Sequence, residues 1–262
     1  MKYRRMPIEV ESPEQLGYHT IACNLAESSV SDRIYGELNL NLKRLSLAYG
    51  HHAGKPELRA LIAGGHSRIR ESDVLVTAGA APALFIAATA LLTAKDHLVV
   101  VHPNYATNIE TPRAIGCGIA YVHLNFKDGF GLDIDAVKKA VRKNTRLISL
   151  TYPHNPTGTV MSREELNALV KLAEEKNIYL LVDETYRGLS RAAKVPLAAS
   201  LSPQAISISS LSKAYGLPGI RIGWLITQAP HLQELFLAAK EQIFVCNSVV
   251  DEEIACQFMR KE

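Results

Sequence analysis

The chain has 262 residues, 47% of them hydrophobic and 21% charged, and a formal net charge of +3. That length encloses a substantial core in one large domain or two smaller ones, with the composition of a soluble globular protein. The charge is mild and dispersed, so no basic run points to nucleic acid or a membrane surface, and the apolar stretch "APALFIAATALL" is too short to span a bilayer.

In chain order, the N-terminal "MKYRRMPIEVESPEQ" has basic residues but no apolar core behind them, so it is not a secretory signal. The expected compartment is the cytoplasm. Residues 1–45, with scattered Pro, Ser and Asn, read as an irregular arm. A helix is expected from about residue 54, where Pro56 suits a first turn and Leu58, Leu61 and Ile62 share a face. Short apolar runs then alternate with helical stretches. "VLVT" (74–77) leads into "APALFIAATALL", and "HLVVV" (97–101) ends at Pro103. "IAYVHL" (119–124) precedes "DIDAVKKAVRK", where Asp133 is placed to cap a helix and Ile134, Val137 and Val141 face inward. "RLISL" (146–150) enters a proline-rich loop, and Ser162 with Glu165 forms a capping-box pattern for the next helix. "IYLLV" (178–182) and "AISIS" (205–209) complete the series.

Continuous rather than alternating apolar runs indicate strands covered on both faces. Their alternation with helices predicts an α/β fold, a mostly parallel sheet sandwiched by helices with right-handed crossovers. Four widely spaced cysteines, Cys23, Cys117, Cys246 and Cys256, read as free thiols, and no Cys/His cluster suggests a metal.

Ligands of open α/β sheets sit beyond the carboxyl ends of the strands, so the residues there are the functional candidates. After "VLVT", the small residues Ala78, Gly79, Ala80 and Ala81 open a helix whose free N–H groups suit a phosphate, although a tight turn needs small residues in any case. Tyr105 follows "HLVVV" as either a rim residue or a stacking platform. Asn155 is presented by the rigid "TYPHNPTGT" loop, where the plain reading is a turn held by its side chain. Asp183 ends an apolar strand, a costly place for a carboxylate without a positive partner, and Tyr186 follows three residues later. After "AISIS" come Ser210 and Lys213, then Arg221, with small neighbours that leave room around the lysine. An amine, a buried carboxylate, phenols, an amide and an anion pocket at one sheet edge would all be used by one small molecule, pyridoxal 5′-phosphate.

Taken together, "NPTG", "LLVDETY" and "SLSKAYGLPGIRIGW", in this order from about Tyr49 onward, resemble the class I/II aminotransferases, the aspartate-aminotransferase-like pyridoxal-phosphate enzymes. The resemblance implies that Lys213 holds the coenzyme as a Schiff base and shuttles the proton at the substrate Cα. It implies that Asp183 pairs with the pyridine nitrogen, that Asn155 and Tyr186 bond the ring's 3-oxygen, and that Tyr105 stacks on the ring. Ser210, Arg221 and the backbone at Ala80 and Ala81 would grip the phosphate, and Tyr49 would reach the phosphate of a neighbouring subunit in a homodimer with shared sites. "NLAESS" (24–29) stands where the family has a substrate-facing strip. The implied layout is an arm over residues 1–45 and the coenzyme-binding large domain over residues 46–262. The family's C-terminal small domain, with its carboxylate-clamping arginine, is expected to be missing. The implied function is transfer of an amino group between an amino acid and a 2-oxo acid. Lyase, decarboxylase or cyclase chemistry on the same coenzyme, or an impaired coenzyme-binding protein, are the alternatives.

Overall fold

Apolar runs that do not alternate need cover on both faces, and the computed structural model, which describes residues 1–66, 68–189 and 195–261, shows what supplies it. After two single-turn helices, α1 (Pro7–Val10) and α2 (Pro13–Leu16), come α3 (Pro56–Gly64), β1 (Val74–Thr77), α4 (Ala80–Leu91) and β2 (His97–His102). They are followed by α5 (Thr107–Ile115), β3 (Gly118–His123), α6 (Ile134–Ala140), β4 (Thr145–Thr151), α7 (Arg163–Lys176) and β5 (Tyr179–Asp183). The remainder is β6 (Ala205–Ser210), β7 (Gly223–Ile226), α8 (Pro230–Glu241) and α9 (Val249–Met259). No strand falls within residues 1–45.

One seven-stranded sheet has the order β1-β7-β6-β5-β4-β2-β3. All its pairings are parallel except those of β7, which runs against both β6 and β1. Successive residues of each strand enter different cores. Leu98 and Val100 of β2, with Leu147, Leu181 and Ile206, pack on the α4 and α8 side against Ala83, Ala87 and Phe236. Val99 and Val101, with Ile148, Leu150, Leu180 and Val182, pack on the α6 and α7 side against Val137, Leu166 and Leu169. A third cluster joins Val74, Val76, Trp224 and Ile226 to α3 and α9. Each such side chain taken from water contributes about 1.5–3 kcal/mol, so the sheet is a stiff platform for the loops at its edge. The edge strand β3 departs from the expectation of two covered faces, because only its Val122 is buried.

Local rules account for the helix ends. The Asp133 carboxylate accepts the N–H groups of Asp135 and Ala136, and Ser162 and Glu165 cap α7 reciprocally. Helix α4 is apolar all round because it lies between the sheet, α5 and α8. The elements not in the sequence reading include the single-turn helices α1 and α2, the helices α5 and α8, and the antiparallel β7. All four cysteines are free thiols. Among the described residues, no helix is long and apolar enough to cross a membrane.

Candidate active site

The register puts chemistry at one edge of the sheet. Gly223, which opens β7, lies between Thr77 at the end of β1 and Ser210 at the end of β6. Asp183, at the end of β5, is level with Thr151 of β4 and Ile208 of β6. Because β7 is antiparallel, its N-terminal end meets the carboxyl ends of its neighbours, and the connection over residues 211–222 carries both Lys213 and Arg221 to that edge.

The anion-binding half is built on close backbone approach. A Cβ on Gly223 would stand 2.4 Å from the Gly79 carbonyl carbon and 2.7 Å from the Ala80 nitrogen, so only glycine lets β7 abut the start of α4. Gly79 has φ +102°, and a Cβ there would meet the Arg221 guanidinium at 2.5 Å. Arg221 donates to the carbonyl oxygens of Pro218 at 2.7 Å and Ala78 at 3.4 Å, and to Ser212 Oγ at 3.5 Å. Its side chain is exposed and has no carboxylate partner among the described residues. The N-terminus of α4, starting at Ala80 and Ala81, has no side-chain cap. Free N–H groups, a helix dipole and an unneutralised guanidinium make this a cradle for an oxyanion. Ser210 borders it, buried, its Oγ accepting the Ser212 N–H at 3.3 Å.

Asp183 is 4% exposed, and one of its oxygens accepts the Thr185 N–H at 3.0 Å and the Thr185 hydroxyl at 2.6 Å. Burial pushes its pKa up, against the pull of the two Thr185 bonds. It has no ion pair among the described residues, which leaves the carboxylate matched to an incoming cationic N–H. Next to it, Glu184 is also buried, pairs with Arg187 at 3.1 Å, and is pushed up to about 7 by burial despite that arginine.

Asn155 Nδ2 and the Tyr186 hydroxyl are 3.4 Å apart. The Asn155 loop is tied down by His154, whose Nε2 bonds the Pro103 carbonyl at 2.8 Å and whose Nδ1 bonds Thr157 Oγ1 at 2.8 Å. Burial lowers the His154 pKa, so the ring is a neutral structural bracket. Tyr105 is positioned by an amide network: Asn104 Oδ1 accepts the Tyr105 N–H at 2.7 Å, the Thr151 hydroxyl at 2.8 Å and Asn108 Nδ2 at 3.0 Å. Burial raises the Tyr105 phenol pKa, and both Asp183 and Lys213 lie within its electrostatic reach.

Lys213 Nζ donates to Glu27 Oε1 at 3.2 Å, with both side chains about one-third exposed. Burial opposes ionisation of Glu27, but the Lys213 charge and hydrogen bond, with donors from Ser28 and Ser29, hold its pKa below the ordinary value. Ser28 Oγ bonds the Tyr186 hydroxyl at 2.9 Å. The strap is held by its backbone too: Val30 N–H donates to the Lys213 carbonyl at 3.1 Å and Arg33 N–H to the Gly216 carbonyl at 2.8 Å. Gly216 has φ +66°, and a Cβ there would fall 2.4 Å from the Ser31 carbonyl oxygen.

The structure thus gathers Lys213, Asp183, Asn155, Tyr186, Tyr105, Ser210, Arg221, Ala80 and Ala81 at one edge. Tyr49 is apart, 88% exposed, and lines a separate cavity of about 340 Å³ with Cys246, Asn247 and Ser248. Sequence reasoning placed "NLAESS" here only by resemblance and gave Glu27 and Ser28 no role. It also passed over Thr185, His154 and Gly223. Gly223 had a signal, a lone glycine between Ile222 and Trp224 at a strand start; Glu27 had none in local spacing.

The sequence profile of the family "Aminotransferase class I and II" matches residues 25–254. Among solved structures, a PLP-dependent aminotransferase from Streptococcus suis superposes with a TM-score of 0.91 at 27% identity, over 99% of this chain and 71% of that one. An arginine–pyruvate transaminase of Pseudomonas aeruginosa is 31% identical over 72% of this chain and 51% of its own length. A capreomycidine synthase of Streptomyces vinaceus is 29% identical over 83% of this chain and 59% of its own. The chain spans about half the length of the first curated relatives it matches.

Proposed function

The chain belongs to the class I and II aminotransferases, a pyridoxal-phosphate-dependent family, and from that premise we propose that it binds pyridoxal 5′-phosphate at Lys213 and moves an amino group between an amino acid and a 2-oxo acid. The observation that carries this reading is Asp183. A buried carboxylate without a counter-charge is expensive, and here it stands at the sheet edge shared by a reactive amine and an oxyanion cradle. The residues present fit the coenzyme: a ring N–H⁺ supplies the charge Asp183 lacks, and a phosphate supplies the anion that Arg221 and the start of α4 lack.

When bound, the coenzyme supplies an electron sink for a carbanion at the substrate Cα. Lys213 would hold the coenzyme through its ε-amine and would move the proton at the substrate Cα. Asp183 keeps the ring nitrogen protonated, and the Asn155 amide and Tyr186 hydroxyl present donors to the ring oxygen. Ser210, Arg221 and the N–H groups of Ala80 and Ala81 anchor the phosphate, while Tyr105 covers a ring face. Tyr49, exposed and lining a cavity that none of these residues borders, serves the site of a second copy in a homodimer.

A second reading keeps the coenzyme and changes the outcome at Cα, and the similarity to an enzyme named a synthase rather than a transaminase supports weighing it. Absorbance near 400 nm and borohydride fixation at Lys213 test the binding, and a panel of amino donors with pyruvate and 2-oxoglutarate tests the reaction. No adduct at Lys213 refutes the coenzyme reading. Release of ammonia or carbon dioxide without keto-acid turnover refutes amino transfer.

A further inference from the structure

Glu27 is the residue of the site whose presence the proposed chemistry does not require. Its carboxylate meets the Lys213 ammonium at 3.2 Å, and its other donors are the Ser28 N–H at 3.0 Å and the Ser29 hydroxyl at 3.4 Å. The carboxylate cannot drift away, because the strap over residues 28–33 is tied to Tyr186, to the Lys213 carbonyl and to the Gly216 carbonyl. The pair is also a conflict. A lysine that works on the coenzyme has to leave this carboxylate, so the contact and the proposed chemistry compete for the same amine. When Lys213 turns to the coenzyme, Glu27 keeps its position and loses its cation.

The surroundings do not supply a replacement. Among the described residues, Lys213 is the only ion-pair partner of Glu27, and the carboxylates of Glu14 and Asp32 lie within electrostatic reach of the same neighbouring phenol, Tyr18. A cation brought by the substrate resolves the conflict: it pairs with the vacated carboxylate and leaves the ε-amine to the coenzyme. Resting on the aminotransferase reading, we infer that Glu27 is a specificity-determining residue that selects amino acids whose side chain ends in an ammonium or guanidinium group.

The test compares charged and neutral side chains of similar shape: arginine with citrulline, and lysine with norleucine. In the coenzyme-loaded protein, kcat/KM for the amino-donor half-reaction favours the charged member of each pair by about 2- to 5-fold, the range of a partly exposed ion pair. Glu27→Gln removes that preference, and Glu27→Asp keeps part of it. A second arm does not need the coenzyme. In the coenzyme-free Lys213→Ala protein Glu27 has no resident cation, so calorimetry shows arginine binding more tightly than citrulline, and Glu27→Gln in that background abolishes the difference. Equal treatment of charged and neutral ligands in both arms overturns the inference. So does a uniform loss for all four donors in Glu27→Gln, which would assign the carboxylate to the α-ammonium common to every amino acid. Failure of the wild-type protein to take up the coenzyme at Lys213 refutes the function proposed above instead, and the calorimetric arm still decides the role of Glu27.

Discussion

Replacing Asp183 with Asn should make the coenzyme-free protein more stable and the coenzyme-bound protein weaker. Asp183 is 4% exposed and its partners are two donors from one threonine. An ion buried in this way costs several kcal/mol, and hydrogen bonds to a charged group return about 1.5–3 kcal/mol each. The asparagine oxygen still accepts from Thr185 while the charge is gone, for a net gain of about 1–2 kcal/mol. In a chain of this size that is a rise of roughly 2–8 °C in Tm. The sign depends on pH. Burial raises the folded pKa of this carboxyl, so the folded state holds its proton longer and the penalty is absent at acid pH. It builds up as the pH rises from the ordinary carboxyl value towards the raised one, and the gain from Asn is therefore larger at pH 7 than at pH 4. With the coenzyme bound, the same substitution removes a desolvated charge partner of the ring nitrogen, worth about 2–4 kcal/mol or roughly 30- to 1,000-fold in Kd. Thermal melts of both coenzyme-free proteins, with an absorbance titration of pyridoxal phosphate, read the two effects. A variant that melts lower without coenzyme, or binds it as tightly as the wild type, refutes the reasoning.

Gly223→Ala should cost about 1–3 kcal/mol by overpacking, because the new Cβ meets backbone atoms of Gly79 and Ala80 that cannot yield as a side-chain tip would. It should also loosen coenzyme binding by moving the start of α4. Urea midpoints and the same titration measure both, and wild-type values in each would show that the strand and helix do not abut. For Glu184, pushed up to about 7 by burial, the folded state holds the extra proton. Stability should fall as pH rises from about 5 to 7, by up to about 2–3 kcal/mol. Glu184→Gln should flatten that slope in denaturant unfolding; an unchanged slope would assign it to other groups.

What could be read from the sequence follows from where the determining contacts lie. Leu98–Val101, Ile148–Leu150 and Leu180–Val182 declare themselves as strands because two helical layers require apolar side chains in both directions. The residues after each strand, Asp183, Asn155 and Lys213 among them, were found because chain order carries them to a shared edge. β7 was missed because "GWLI" is short and becomes a strand only by pairing on both sides, with β1 and β6. Helix α5 is disguised by Pro112 within it. Glu27 and Ser28 were out of reach for a different reason: their partners Lys213 and Tyr186 lie 186 and 158 positions away, and no local pattern encodes such a meeting.

The reversed direction of β7 has a mechanical consequence. Lys213 and Arg221 hang from one short hairpin whose two stems, Ser210 and Gly223, are opposite each other in the sheet. A ligand fastened covalently by the first and clasped by the second is held at both ends by the same piece of chain. Tilting of neighbouring loops, or swings of any further segment attached to this fold, would leave the span between anchor and clasp unchanged.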